Sequence, residues 1–374
     1  MSKIDIITMH YVNNYGSVLQ SFATQWYFKK LGFDSEIIDY TRPNCDYKYI
    51  KNRINNGYKN KRGVFGSAPI VFVRTVIWSA DYKIRNRKFD SFRNKYLKLS
   101  KKYEREELFS NPPIADLYCT GSDQTWNTEY NDGILDEYFL SFAPKGKGRF
   151  SFSASFGCDS INENISHTIK QYLKEYDLIT VRELSGERII KDLGIDKCHQ
   201  IVDPTLLLDA QEWKSIFNIR NSNRQYILLY LLNKHDHLID EVERFANTKK
   251  VSVVLISNVK YKIPLSWKNY RNPSVEQFLF LFANASYILT DSFHGTSFGI
   301  NFGKKIRVVR PPQYSTRLES ILEILGLKSA LYDCEQNILF NDINYDCVNM
   351  RLKSERAKVN TIFMGYLKND NNQL

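Results

Sequence analysis

The sequence predicts an α/β fold with two mostly parallel sheets in tandem, each covered by helices on both faces. Three observations carry this. Apolar, β-favouring runs alternate with stretches of helical spacing, the mark of βα units. The alternation pauses over "LDAQEWKSIFNIRNSNR" and then restarts. A chain of 374 residues is also long enough to give each half its own core.

Taken in order, "KIDIITMH" reads as a strand and "GSVLQSFATQWYFKKLG" as a helix stopped by Gly32. "SEIIDY" is the next strand, and a basic helical region follows. Then come "DLYCTGSDQ" and "RFSFSASFG", the helix "NISHTIKQYLKEY", the strand "DLITVRE", the helix "SGERIIKDLG" and the strand "HQIVDPTLLL". The joint falls near Leu208 to Arg224. Beyond it "QYILLYLL", "VSVVLIS", "YILTDSF" and "KIRVVR" are strands. Between and after them lie helices at "HLIDEVERFANTK", "SVEQFLFLFANAS", "TSFGINFG" and "STRLESILEILGL". A last helix near Asn349 to Tyr366 could join either half.

Hydrophobic residues at 43% and charged ones at 25% describe a globular chain. No apolar run reaches the roughly 20 residues that span a bilayer, and "MSKIDIITMH" lacks the apolar core of a secretion signal, so a cytoplasmic location is expected. Six scattered cysteines form no CxxC pair and no ligand spacing, which predicts reduced structural thiols and no metal. The formal charge of +11 favours anionic partners. Much of it sits in Tyr47 to Gly63 and Tyr82 to Arg105, where Lys and Arg interleave with Tyr and Phe. Two readings are open there: solvated helix faces over a core, or a surface for an anionic membrane. No nucleic-acid motif is present.

Ligands in open parallel sheets bind beyond the carboxyl ends of the strands, next to helix N-termini. Four polar turns occupy such places. The first puts Asn13, Asn14 and Tyr15 before Gly16, with Gln20 one turn on; amides and phenols read hydroxyls, and a helix cap is the competing role. The second holds Ser122, Asp123 and Gln124 with Trp126 nearby, polar groups beside an aromatic platform. In the third, Arg182 follows the strand "DLITV", where its fork suits a carboxylate or phosphate, or else an ion pair with Glu183. The fourth, "TDSFHGTSF", sets His294 before Gly295 and Thr296 at a helix start, where imidazole can bind an anion or move a proton.

Together "NNYGSVLQSFA", "TGSDQTWN", "SFSASFG", "TVRELSG", "VDPTLLL", "TDSFHGTSF" and "STRLESILEILGL" resemble the polysaccharide pyruvyl transferase family in order and spacing over most of the chain. Thr316-Arg317 stands where the family commonly has Ser-Arg, and Gly299 and Asn301 interrupt the helix after His294. The resemblance implies two Rossmann-like domains facing across a cleft, as in GT-B glycosyltransferases. The first would span residues 1–208 on the acceptor side, with a basic insertion around 46–105. The second would span 209–374 on the donor side.

The same resemblance implies transfer of a pyruvyl group from phosphoenolpyruvate to a saccharide or lipid-linked glycan precursor, giving a cyclic ketal, with no cofactor beyond that donor. His294 would give the proton or meet the phosphate, and Arg182 and Arg317 would clamp the donor's two anionic groups. Ser292, Gly295 and Thr296 would cradle the phosphate. Asn13, Asn14, Tyr15, Gly16, Gln20, Ser122, Asp123, Gln124 and Trp126 would line the acceptor side. A nucleotide-sugar glycosyltransferase and a non-catalytic glycan-binding protein are the alternative readings, distinguished by what leaves the donor and by turnover.

Overall fold

A computed structural model describes residues 2–43, 45, 68–313, 315–332 and 340–370. The basic stretch Tyr47 to Gly63 and Cys334 lie outside the described residues. The fold is α/β, with two five-stranded parallel sheets. In the first, strands β1 (Lys3–Ile7), β2 (Asp34–Tyr40), β3 (Leu99–Tyr103), β4 (Leu117–Thr120) and β5 (Gly148–Ser151) take the order β3-β2-β1-β4-β5. The short strands β6 (Ile179–Val181) and β7 (Cys198–Gln200) pair with each other. Bonds from Ser151 N to Leu178 O (3.1 Å) and Ala154 N to Thr180 O (3.1 Å) attach this pair beside β5.

The second sheet repeats the arrangement. Strands β8 (Tyr226–Leu231), β9 (Ser252–Ser257), β10 (Lys268–Tyr270), β11 (Tyr287–Thr290) and β12 (Lys305–Val308) take the order β10-β9-β8-β11-β12. Central strands such as β8 are buried along their whole length, which is why they read as continuous apolar runs rather than as alternating ones. In both sheets the first strand is central and the order reverses beside it. That reversal opens a crevice at the strands' carboxyl ends.

Two edge strands depart from the expected pattern. The basic helix ends at Tyr96, and "LSKKY" then forms β3, pairing with β2 while Lys101 and Lys102 stay exposed. Lysines on an outer strand discourage pairing with another chain, so a strand here carries little apolar signal. "KNY", β10, is equally polar.

Helices fix the sheets relative to each other. Helix α1 (Tyr15–Lys30) is buried over most of its length between the first sheet and neighbouring helices. Helix α2 (Ala68–Tyr96) reaches the second sheet's loops, where Asp81 accepts from Asn272 Nδ2 at 2.7 Å. The final helix, Tyr345–Asp370, follows the second sheet in sequence but packs on the first: Phe363 lies 4.8 Å from Phe152 and 5.7 Å from Phe150, centroid to centroid. From the same helix Arg356 donates to Leu206 O (2.7 Å) and Asn301 Oδ1 (3.3 Å), tying the joint to the second unit. No helix among the described residues is long and apolar enough to cross a membrane.

Candidate active site

A cavity of about 480 Å³ opens where the carboxyl ends of the two sheets face each other. The first unit contributes Met9, Val12, Asn14 and Ser17 from the β1 turn, and Asp123, Gln124 and Tyr130 from the β4 turn. The second contributes Leu232 and Asn233 after β8, Asp291 to His294 after β11, and Pro311 to Gln313 after β12 with Arg317 beyond.

His294 is placed by three local choices. Strand β11 ends at Thr290, whose hydroxyl donates to Tyr230 O at 2.7 Å, so the chain leaves the sheet there. Ser292, in extended conformation, accepts from Gly295 N and starts the helix Phe293–Asn301. The imidazole then lies against the backbone of Gly16 at the start of α1. A methyl group added at Gly16 would fall 1.9 Å from His294 Nδ1, so only glycine admits the ring. The other ring nitrogen, Nε2, stands 3.5 Å from Asp203 Oδ2.

Beneath His294 lies a buried charged network. Asp203 accepts from the Ser122 hydroxyl at 3.0 Å, from Arg182 Nη1 at 3.2 Å and, through its other oxygen, from Thr205 N and Oγ1. Arg182 also donates to Glu183 Oε1 at 2.9 Å, and its guanidinium stacks 4.4 Å from the Phe293 ring centroid. Burial works to raise the Asp203 carboxyl, but His294, Arg182 and Thr205 outweigh it and hold the group well below the usual carboxylate range. Asp123 behaves alike: burial opposes ionisation, while Arg182, His294, the Ser17 hydroxyl (2.5 Å) and Arg317 lower its pKa. Burial alone would lower the Arg182 pKa, and Glu183, Asp203 and Asp123 raise it instead. Both aspartates are therefore anions at neutral pH. Asp123 has φ +84°, a left-handed conformation uncommon for a non-glycine residue, and it faces the cavity.

Of the residues singled out in the sequence, Asn14, Asp123, Gln124, Ser292, His294 and Arg317 line the cavity, with Gly16 against His294. Others lie elsewhere. Arg182 is off the wall, enclosed by its carboxylates, so the ion pair is what the structure provides. Trp126 is a core residue, stacked on Phe139 with its indole N–H donated to Tyr138 O, rather than an open platform. Tyr15 stacks on Phe278 at 4.3 Å and donates to Pro273 O, joining the two units. Asn13 turns toward α2, bonding Asn86 and Arg93. Gln20 donates to Thr8 Oγ1 and Ser17 O in the interior, and Ser122 serves Asp203. The amide of Thr296 is donated to Ser292 O, and the bare Cα of Gly295 faces Thr290 and Tyr230 rather than the cavity.

Sequence reasoning missed Asp203 and Ser17, both inside quoted motifs, and Asn233, which has no motif. Asn233 and Leu232 are held by Asp291, whose carboxylate accepts from both backbone amides (2.7 and 2.8 Å) and faces His235 at 3.1 Å.

A wall carrying an imidazole, a guanidinium and a carboxylate can bind an oxyanion, give a proton and orient a hydroxyl. Residues 14–311 match the model of the polysaccharide pyruvyl transferase family, a span that runs from Asn14 across Asp123, Asp203 and His294. The chain belongs to the polysaccharide pyruvyl transferase family. The family match thus covers most of the cavity wall and the network beneath it, and leaves out Met9, Val12, Pro312, Gln313, Arg317 and Leu318.

A search of curated proteins found no match. Among solved structures, the chain is similar to UDP-GlcNAc 2-epimerase from Methanocaldococcus jannaschii, with 12% identity, 94% of this chain and 92% of that one covered, and a TM-score of 0.45. It is similar also to UDP-GlcNAc 2-epimerase from Neisseria meningitidis bound to UDP-GlcNAc (9%, 99% and 93%, 0.44). An alpha-glucosyltransferase in complex with UDP and a 13-mer DNA gives 9%, 96% and 93%, with a TM-score of 0.46.

Proposed function

We propose that this family member transfers the pyruvyl group of phosphoenolpyruvate to two hydroxyls of a saccharide, forming a cyclic ketal in a cell-surface polysaccharide precursor. The observation that carries the reading is His294, set at a helix start between Gly16 and Asp203 and opening into a cavity shared by both sheets. At about 480 Å³ the space suits a small donor beside one sugar unit.

Arg317 and the positive end of the helix Phe293–Asn301 bind the donor's phosphate and carboxylate. His294 gives a proton to the methylene carbon, leaving the adjacent carbon open to attack. One acceptor hydroxyl, oriented by Asp123, bonds there; the carbon–oxygen bond to phosphate breaks, and the second hydroxyl closes the ring. Of the two hydroxyl protons, one restores His294 and the other leaves on phosphate, so the reaction balances without water. Asp203 holds the imidazole in place, and Arg182 anchors Asp203 and is a positioning residue.

The test incubates the purified protein with phosphoenolpyruvate and lipid-linked saccharides, and follows phosphate release together with the mass of the acceptor. Equal amounts of phosphate and pyruvylated product are expected. Release of nucleotide from a UDP-sugar, with phosphoenolpyruvate left untouched, would replace this reading with sugar transfer.

A further inference from the structure

The link from β9 through β10, Asn258 to Asn272, reads "NVKYKIPLSWKNYRN". No Asp or Glu occurs between Val251 and Val275, whereas Lys260, Lys262, Lys268 and Arg271 are all exposed. None of these four cations is paired with a carboxylate among the described residues. The apolar residues of the stretch divide in two. Trp267 is buried, and Tyr261 and Ile263 pack against the core of the second sheet. Leu265, between them, is fully exposed. It sits in a turn closed by Trp267 N donating to Pro264 O at 3.1 Å, so anchored residues on either side hold the leucine out in water.

Helix α2 adjoins this stretch. The Asn272 amide donates to Asp81 at 2.7 Å, and its carbonyl accepts from Lys88. Next along α2, Lys83, Ile84 and Arg87 are exposed, again cations beside an aliphatic side chain. Asp81 is the acid at this junction, and the Asn272 amide engages it.

The side chains select among anionic partners. Single-stranded nucleic acid is held by stacking bases on open aromatic faces, and here the aromatic residues are turned inward. Trp267 is buried, while the Tyr261 hydroxyl donates to Asn233 O and accepts from His235 N at 3.0 Å. An exposed aliphatic tip flanked by lysines suits an anionic bilayer instead, where the leucine enters the acyl boundary and the cations meet headgroup phosphates. Because Asn233 lines the candidate active site, the loop stands at the cavity's end of the second sheet.

We propose that the stretch Lys260 to Arg271, with the adjoining part of α2, docks on an anionic lipid surface and inserts Leu265. The proposal goes beyond pyruvyl transfer and does not depend on it.

The experiment sediments the full chain with vesicles of phosphatidylglycerol and phosphatidylcholine, or of phosphatidylcholine alone, at low salt. No turnover is needed, so failure here and failure of the pyruvyl-transfer reading are separate results. Binding is expected with the anionic vesicles and should fall as salt rises. Leu265→Ser should need about tenfold more lipid while keeping the salt dependence. Lys260→Gln combined with Lys262→Gln should weaken binding by about tenfold or more and flatten the salt dependence. All three side chains are exposed, so these variants fold as the wild type does. With a formal charge of +11 the chain has other basic surfaces, and wild-type binding by both variants would place the contact on one of them and overturn the proposal. So would equal binding to phosphatidylcholine alone, no binding to either vesicle, or a loss confined to the lysine variant, which marks a surface for polyanions in general.

Discussion

His294 meets three different demands at once: its ring needs a bare backbone on one side, a carboxylate on another and open volume on the third. Replacing it by Gln keeps some hydrogen bonding but removes proton transfer. Turnover should then fall by about 10²–10⁴-fold with the melting temperature little changed. Steady-state kinetics paired with a melting curve decides this, and near-normal turnover would make the residue structural. Gly16 gives an independent check that leaves residue 294 itself unchanged. In Gly16→Ala the new methyl displaces the ring, and since misplacement by about 1 Å can cost about 10²-fold, kcat should drop on that order while the variant still folds. Unaltered kinetics in Gly16→Ala would show that His294 need not sit where the structure puts it.

At the scale of elements, the strands with continuous apolar runs were legible from sequence because burial on both faces leaves no other composition possible. The polar edge strand Leu99–Tyr103 was hidden, since its exposed lysines resemble those of the helix before it. The turns were legible as places but not as directions. Tyr15, Gln20 and Trp126 all sit near cavity residues, and which way each side chain points depends on distant partners: Pro273, Thr8 and Tyr138. Asp203 was unreadable as a partner of His294 because 91 residues and a domain joint separate them.

Strand β1 carries a pH-dependent element of its own. Asp5 is fully buried beside Lys3 (3.1 Å), and burial, opposed by Lys3, pushes its carboxyl up to about 6. The folded state therefore holds this proton to higher pH than the unfolded chain does. Its contribution to stability is greatest below pH 4 and falls as pH rises from about 4 through 6, by on the order of 2–3 kcal/mol. Thermal melts of Asp5→Asn against wild type should show the gap shifting in the variant's favour across that window. A constant difference from pH 4 to 7 would mean that Asp5 titrates normally.

At the scale of the whole molecule, a ligand gripped by both units must oppose their separation. Phosphoenolpyruvate at about 100 times its dissociation constant should stabilise the protein by about 2.7 kcal/mol, seen as a rise in melting temperature. Arg317→Ala should lose most of that rise while melting near the wild-type temperature without donor. A full rise in Arg317→Ala would move the anion clamp elsewhere. The meeting of Gly16 from one unit with His294 from the other has a further result. The seat of the imidazole is thus built by residues far apart in the chain, so a change at a small residue of the first helix is felt on a side chain of the second sheet, across the joint between the units.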